Sequence, residues 1–301
     1  MKYLRVVERD AATRRETVSL RDMERSDLDF AIEMTDKEGW AYSRIELERI
    51  MDLDPEGSFI FEDEGRPLGF VTSAALDNTG VVGHLVVSSE GRGRRIGRQL
   101  IDRAVSHFDE SMVESSMLFA TDDGIPLYEK LGFRSDAVVV SIGFMRDVEP
   151  REALAGDCEL IRPDDLDEII SIDASLYGAE RPVLIRHLYA EFPQHCVKLV
   201  RGGCIEGFAF ARRTPIGSDI GPWMTTTGSM ADGEALFNTV LRSVPAGRVD
   251  LGIFDVNLAA HELVYQYSTI KVWPTTLMVR GGPRYSGPRD RTFGILAFEL
   301  G

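Results

Sequence analysis

When the chain is slid along itself by 138 residues, Asp27-Leu28-Asp29 falls on Asp165-Leu166-Asp167 and Gly69-Phe70 falls on Gly207-Phe208. A shift of 137 puts Tyr128 on Tyr265. An offset kept at the start, middle and end of each half points to a duplicated unit, so the 301 residues are expected to hold two copies of one domain. The chain is long enough for two domains of ordinary size, and 44% hydrophobic content is enough for two cores. The boundary is expected near Arg146–Gly156, where proline, glycine and charge interrupt the apolar pattern, giving domains at 1–148 and 157–301.

Each half reads as strand, helical segment, strand pair, strand, helix, strand, helix, strand. In the first half Thr17–Met23 is an expected strand, and Ser26 an expected N-cap for a helix carrying Leu28, Ala31 and Ile32. Ser58–Glu64 and Pro67–Leu76 alternate like a hairpin turning at Glu64-Gly65, and Val81–Val87 follows as an apolar strand. Ile96, Leu100, Ile101, Ala104, Val105 and Phe108 recur at helical spacing. Met117–Thr121 and Val138–Met145 supply the remaining strands, with a short helix at Pro126–Leu131. This is an α/β pattern with a mixed sheet.

Charge excludes some functions. The formal net charge is −15, so a phosphate backbone or an anionic membrane would be repelled by most of the surface. No nucleic-acid partner is expected. No apolar run approaches the roughly 18 to 20 residues of a membrane span, and Met1–Arg14 is too charged for a secretory h-region, so a cytoplasmic protein without a membrane partner is expected. Cys158, Cys196 and Cys204 lack the close pairing of a zinc site or a disulfide framework and read as reduced thiols; no metal site is expected.

Against this acidic background, four arginines crowd one loop. Between the strand ending at Val87 and the helix starting near Ile96 lies Ser88-Ser89-Glu90-Gly91-Arg92-Gly93-Arg94-Arg95-Ile96-Gly97-Arg98. A helix N-terminus offers unpaired amides and a positive dipole end, and glycines let a diphosphate come close to them. The alternative is a solvated basic turn. The strand-loop-helix setting resembles the acetyl-CoA loop of the GNAT superfamily, Arg/Gln-x-x-Gly-x-Gly/Ala, with Arg92, Ile96 and Gly97 in place and Arg95 where the first glycine belongs. Arg95 therefore needs compatible backbone dihedrals and is expected to turn outward. The resemblance implies that Arg92, Gly93, Arg94, Arg95, Ile96, Gly97 and Arg98 hold the diphosphate of acetyl-CoA, while the backbone of Leu85, Val86 and Val87 pairs with the pantetheine arm.

A second GNAT signature resembles Thr121-Asp122-Asp123-Gly124-Ile125-Pro126-Leu127-Tyr128, followed by Leu131-Gly132-Phe133. It implies that Tyr128 protonates the departing thiolate, a role suited to a phenol with a pKa near 10. Its alternative is packing against Leu131 and Phe133. The same resemblance, to a bacterial and archaeal subgroup of tandem GNAT proteins, covers Glu38-Gly39-Trp40 and implies that Trp40 and Tyr42 wall the acceptor pocket. Trp40 reads equally as a core aromatic.

An amine acceptor arrives protonated, so a base is needed: with pKa about 10.4, about one part in a thousand is neutral at pH 7. His84 is a candidate, with an unperturbed pKa of about 6.5, although strand alternation also allows a core histidine. Glu38 is a second candidate.

In the second half the counterpart of the loop, Thr227–Ala235, has no arginine and carries Asp232 and Glu234, so it is not expected to hold a diphosphate. Asp173, Gly178 and Arg181, then Gly221-Pro222 and Phe293-Gly294-Ile295, resemble the subgroup's degenerate second domain. That implies a share in the acceptor site at the domain interface, with Asp173 holding a cation and Arg181 a carboxylate. A helix cap and a surface ion pair are the alternative for these two. The expected function is transfer of an acetyl group from acetyl-CoA to a primary amine of a small molecule, by a monomer or a homodimer. A non-catalytic acyl-CoA sensor and a catalytic second domain using Tyr265 are the competing readings.

Overall fold

The computed structural model describes residues 18–147, 149–150, 158–282 and 287–301. Met1–Arg14, Thr17 and most of the expected boundary, 148 and 151–156, lie outside the described residues. In the first half the order is β1 (Val18–Asp22), α1 (Leu28–Lys37), α2 (Arg44–Leu53), β2 (Phe59–Asp63), β3 (Arg66–Leu76), β4 (Thr79–Val87), α3 (Ile96–Glu110), β5 (Ser115–Ala120), α4 (Ile125–Glu129) and β6 (Arg134–Arg146). The second half repeats it with β7 (Cys158–Leu160), α5 (Leu166–Tyr177), α6 (Pro182–Glu191), β8 (Cys196–Arg201), β9 (Cys204–Thr214), β10 (Gly217–Thr225), α7 (Met230–Ser243), β11 (Gly247–Phe254), α8 (Leu258–Val264) and β12 (Ser268–Gly281). One short strand, β13 (Thr292–Gly294), has no counterpart among the described residues of the first half. The starts of α1, α2, β3 and β4 all recur 138 residues later.

Two expectations need correction. The single helical segment after the first strand is two helices: Ser43 caps α2, accepting from the Glu46 amide while the Glu46 carboxylate accepts from the Ser43 amide. Ser26 is not an N-cap. It lies inside a 3-10 turn, Arg25–Asp27, that leads into α1, and the Glu24 amide donates to Asp27 Oδ2 instead. The same turn, Pro163–Asp165, precedes α5.

All described strands belong to one sheet, in the order β1-β2-β3-β4-β5-β12-β6-β11-β10-β9-β8-β7, with β13 added beside β10. Only β4 with β5 and β10 with β11 run parallel. The halves are interleaved: β6 closes the first half in sequence but pairs with β11, and β12 pairs with β5, the two crossing strands pairing with each other. Backbone hydrogen bonds therefore join the halves into one sheet rather than leaving two domains in loose contact.

Helices cover both faces because successive strand residues point opposite ways. In β2, Phe59 and Phe61 pack under α3 with Leu100, Ile101, Ala104 and Phe108, whereas Ile60 joins Leu28, Ala31 and Leu47 of α1 and α2 on the other face. Ile101 is fully buried, worth roughly 1.5–3 kcal/mol. A further cluster spans the halves, from Ile50, Val81 and Met117 to Leu184, Phe208 and Leu296. No helix among the described residues is long and apolar enough to cross a membrane.

Candidate active site

The arginine loop closes on itself before α3 begins. The amides of Gly91 and Arg92 donate to Ser88 O, and that of Arg94 to Gly91 O. Gly93 has φ +77, and Arg95, the residue before α3, is left-handed at φ 61 and ψ 21, the conformation that the usual glycine would adopt freely. Gln99 N–H closes onto Arg95 O, so the first-turn amides of Ile96, Gly97 and Arg98 have no intrahelical acceptor. Arg92 reaches Glu38 at 3.3 Å, Arg94 reaches Asp63 at 2.6 Å and Arg98 reaches Asp102 at 2.7 Å. Arg95 is exposed and has no acidic partner among the described residues. These surface pairs hold the arginines around the helix start at little energetic cost to break.

Next to this loop the sheet opens. The parallel ladder between β4 and β5 runs from Thr79–Ser115 to Val82–Leu118 and stops there, although β4 continues through Leu85, Val86 and Val87. On its other side β4 stays paired with β3 through Val87–Gly69, with an irregularity between Val71 and Ser73. Thr72 sits in that irregularity. Its hydroxyl accepts from the His84 amide at 2.9 Å and lies 2.9 Å from His84 Nδ1.

Where β4 diverges from β5, a cavity of about 230 Å³ lies between the halves. The first half lines it with Trp40, Tyr42, Glu46 and His84; the second with Arg212, Asp219, Arg248, Asp250 and Glu299. Trp40 and Tyr42 thus stand at the cavity wall, Trp40 40% exposed rather than in the core. The Tyr42 ring meets the His84 ring edge-on at 4.2 Å, and its hydroxyl donates to Glu299 Oε2 at 2.8 Å. Burial, and the carboxylate beside it, raise the Tyr42 phenol well above its usual pKa.

His84 is both buried and at the wall. Burial lowers its pKa to about 3, so it is a neutral ring at pH 7 and a poor proton acceptor. Its Nε2 is buried without a hydrogen-bond partner. Glu38 does not line the cavity; it ends α1 on the exposed side, paired with Arg92. Tyr128 lies outside the cavity lining too, half-buried against Phe133 with rings 6.1 Å apart, and burial pushes its hydroxyl up to about 12.

Asp173 and Arg181 are not brought to the cavity. They form a bidentate pair at 2.8 and 2.9 Å, both essentially inaccessible, and Arg181 also donates to Gly301 O at 2.7 Å. The Tyr177 ring stacks under the guanidinium at 3.5 Å. Neither the cap nor the surface pair of the sequence reading describes this: the pair is internal and anchors the segment after β13.

The sequence reading missed the cavity's charged residues from the second half. Arg212 on β9 faces Asp219 on β10 in register, and its Nη2 donates to Asp219 Oδ2 at 2.8 Å while Nη1 donates to Leu296 O at 3.0 Å. Arg212 lies 3.6 Å from Glu299 Oε1. Burial raises Asp219 to a pKa of about 6, against the opposing pull of Arg212. A signal existed, since Arg212 and Asp219 interrupt apolar strands and Glu299 stands alone in the run Ile295–Leu300.

The equivalent opening in the second half is filled. The ladder between β10 and β11 ends at Asp219–Asp250, and β13 then takes the vacated edge of β10, pairing Gly294 with Trp223 and Thr292 with Met224. Ile295 donates its amide to Gly252 O of β11 at 2.9 Å, so the wedge is bonded to both sides. At the start of α7, Asp232 is buried and paired with Arg201 at 2.5 Å. A Cβ on Gly233 would lie 2.3 Å from the Phe293 ring, so the β13 segment also packs against this helix start.

Comparison with known proteins agrees with this architecture. The family described as "Acetyltransferase (GNAT) family" matches residues 20–133, and that described as "Acetyltransferase (GNAT) domain" matches residues 169–294. The uncharacterized N-acetyltransferase YitH of Bacillus subtilis (strain 168) is 23% identical over 150 residues, 50% of this chain and 52% of that protein. The matched stretch thus spans about half the length of this curated relative. Among solved structures, a candidate acetyltransferase from Pyrococcus horikoshii superposes with TM-score 0.77 at 20% identity, covering 94% of this chain and 96% of that one. A tandem GNAT protein from the clavulanic acid biosynthesis pathway superposes with TM-score 0.61 at 14% identity, covering 88% and 99%. At these identities the structural likeness is one of fold, and the family models, one in each half, carry the assignment. The chain belongs to the GNAT acetyltransferase family and carries two of its domains in tandem.

Proposed function

We propose that the protein is an N-acetyltransferase that moves an acetyl group from acetyl-CoA to a primary amine of a small molecule, with the first half holding the cofactor. One contrast carries this reading: among the described residues no strand pairs with the β5 side of β4 beyond Val82, beside an arginine-rich helix start, whereas β13 pairs with β10 where β11 leaves it. The diphosphate lies against the amides of Ile96, Gly97 and Arg98, with Arg92, Arg94 and Arg95 around it. The pantetheine arm adds itself to the free edge of Leu85–Val87. Its thioester then faces the cavity, where the amine waits between Trp40 and the second half. Tyr128 gives its proton to the departing thiolate; its pKa of about 12 keeps the phenol protonated, so the donor form is the one present at neutral pH.

The filled second opening and the buried Asp232 argue against a catalytic second domain. Calorimetry with acetyl-CoA, followed by thiol release across a panel of primary amines, tests the proposal. One bound equivalent and amine-dependent thiol are expected. Binding without thiol release for every amine would favour the sensor reading, and no binding would overturn both.

A further inference from the structure

We propose that Glu299, supplied by the second half, is the general base that takes the proton from the acceptor ammonium in the site built by the first half. This rests on the reading that the first half holds acetyl-CoA.

Glu299 combines three observations. It is 4% exposed and lines the cavity between the halves. Its Oε2 is fixed by the Tyr42 hydroxyl at 2.8 Å, whereas Oε1 has no hydrogen-bond donor and lies 3.6 Å from Arg212 Nη2, beyond hydrogen-bond reach. A buried carboxylate oxygen without a donor carries an unmet cost, which a charged N–H donor removes. Third, its Cβ and carbonyl oxygen lie 3.1 Å from where a Cβ on Gly83 would stand, and Gly83 is the first β4 residue beyond the ladder to β5. The Glu299 backbone therefore sits where the β4–β5 ladder ends, and its side chain enters the cavity from there.

The rest of the cavity favours a cation in that place. Glu46 Oε2 accepts from Ser43, and Asp219 and Asp250 stand on the opposite wall paired with Arg212 and Arg248. Four carboxylates face three cations: Arg212 is shared between Asp219 and, at 3.6 Å, Glu299, Arg248 is held by Asp250, and Lys271 is the third. The remaining acidic excess suits an alkylammonium rather than a carboxylate-bearing group. His84, also at this wall, is held neutral by burial and keeps little affinity for a proton.

In the step proposed, the ammonium gives one proton to Glu299. Its freed lone pair forms the C–N bond at the thioester carbon, and the C–S bond breaks with its electron pair on sulfur. Tyr128 protonates that thiolate, the second nitrogen proton returns to the phenolate through solvent, and the proton on Glu299 leaves to water.

The test compares the full-length wild type with Glu299→Gln, using thiol release across the amine panel at pH 7 to 10 and calorimetry with acetyl-CoA. Expected for the variant is a kcat lower by about 10² to 10⁴ at pH 7, with acetyl-CoA affinity within about threefold of wild type. The deficit should shrink by about tenfold per pH unit as the amine deprotonates in solution, a rescue that a merely structural role would not give. Titratable and charged groups around Glu299 across this range are Tyr42, Glu46 and His84 on one wall and Arg212, Asp219, Arg248, Asp250 and Lys271 on the other, and none of them is altered in the variant. Should the Gln variant not fold, Glu299→Asp keeps the charge but withdraws it by a methylene, with kcat expected about 10- to 100-fold lower. A kcat within about threefold of wild type at pH 7 in either folded variant overturns the proposal while leaving the cofactor site standing. Wild type that binds acetyl-CoA but acetylates no amine overturns the amine chemistry of Glu299. Absence of acetyl-CoA binding overturns the cofactor reading itself.

Discussion

His84 gives the fold a measurable acid sensitivity. Its ring is buried beside Tyr42 and Phe70, and that burial lowers its pKa to about 3. In the unfolded chain the value returns to about 6.5. Between those values the unfolded state binds a proton that the folded state refuses, so stability falls as pH drops below about 6.5, by about 1.4 kcal/mol per unit. From pH 7 to pH 5 the loss from this one residue is about 2 kcal/mol. Asp219 works in the opposite sense, because its folded pKa of about 6 lies above the ordinary carboxylate value and favours the folded state as pH falls. A simple pH titration mixes the two. Urea unfolding of wild type and His84→Gln at pH 7 and at pH 5 separates them, since Asp219 is common to both. The stability difference between the two proteins should shift by about 2 kcal/mol toward the variant at pH 5. An unchanged difference would mean that His84 titrates normally in the folded protein, and the reasoning that it is too poor a base for catalysis would fall with it.

Three further outcomes are expected. Tyr128→Phe should lower kcat by roughly 10² or more while acetyl-CoA affinity in calorimetry stays within about twofold; an unchanged kcat removes Tyr128 from the acid role. Arg95→Glu should weaken acetyl-CoA binding by at least about tenfold, because loss of a charged hydrogen bond costs about 1.5–3 kcal/mol and about 1.4 kcal/mol is one decade. Asp173→Asn removes the carboxylate of a buried bidentate pair with Arg181, a loss that costs about 3–5 kcal/mol and should lower Tm by about 6 to 20 °C in calorimetric scans.

Local features of the fold were legible in the sequence because local chemistry decides them. The turn at Glu64-Gly65 takes φ 51 and 74, two positive values that join β2 to β3 as a tight hairpin, and the apolar spacing from Ile96 to Phe108 marks α3 within two residues of its end. α2 was missed although its Ser43-x-x-Glu46 box is a local signal, because only three apolar residues of its ten, Ile50, Met51 and Leu47, are buried. The exchange of β6 and β12 was not legible. Both strands present similar apolar stretches to the sheet's centre, and which neighbour each chooses depends on contacts more than a hundred residues apart. The same holds for the candidate site. The arginine loop lies within eleven consecutive residues and reads as one motif, whereas Tyr42 and Glu299 meet across 257 residues. For the second half, the sequence offers only the acidic loop as an argument against a cofactor slot; the β13 wedge beside β10 is a second argument that no local pattern announces.

Two similar openings, beside β4 and beside β10, compete for the cofactor. A crystal structure of the protein grown with CoA decides between them: the account predicts one CoA, its diphosphate against Ile96–Arg98 and its pantetheine along Leu85–Val87. A CoA seated at Asp232 and Glu234 with β13 displaced would contradict it.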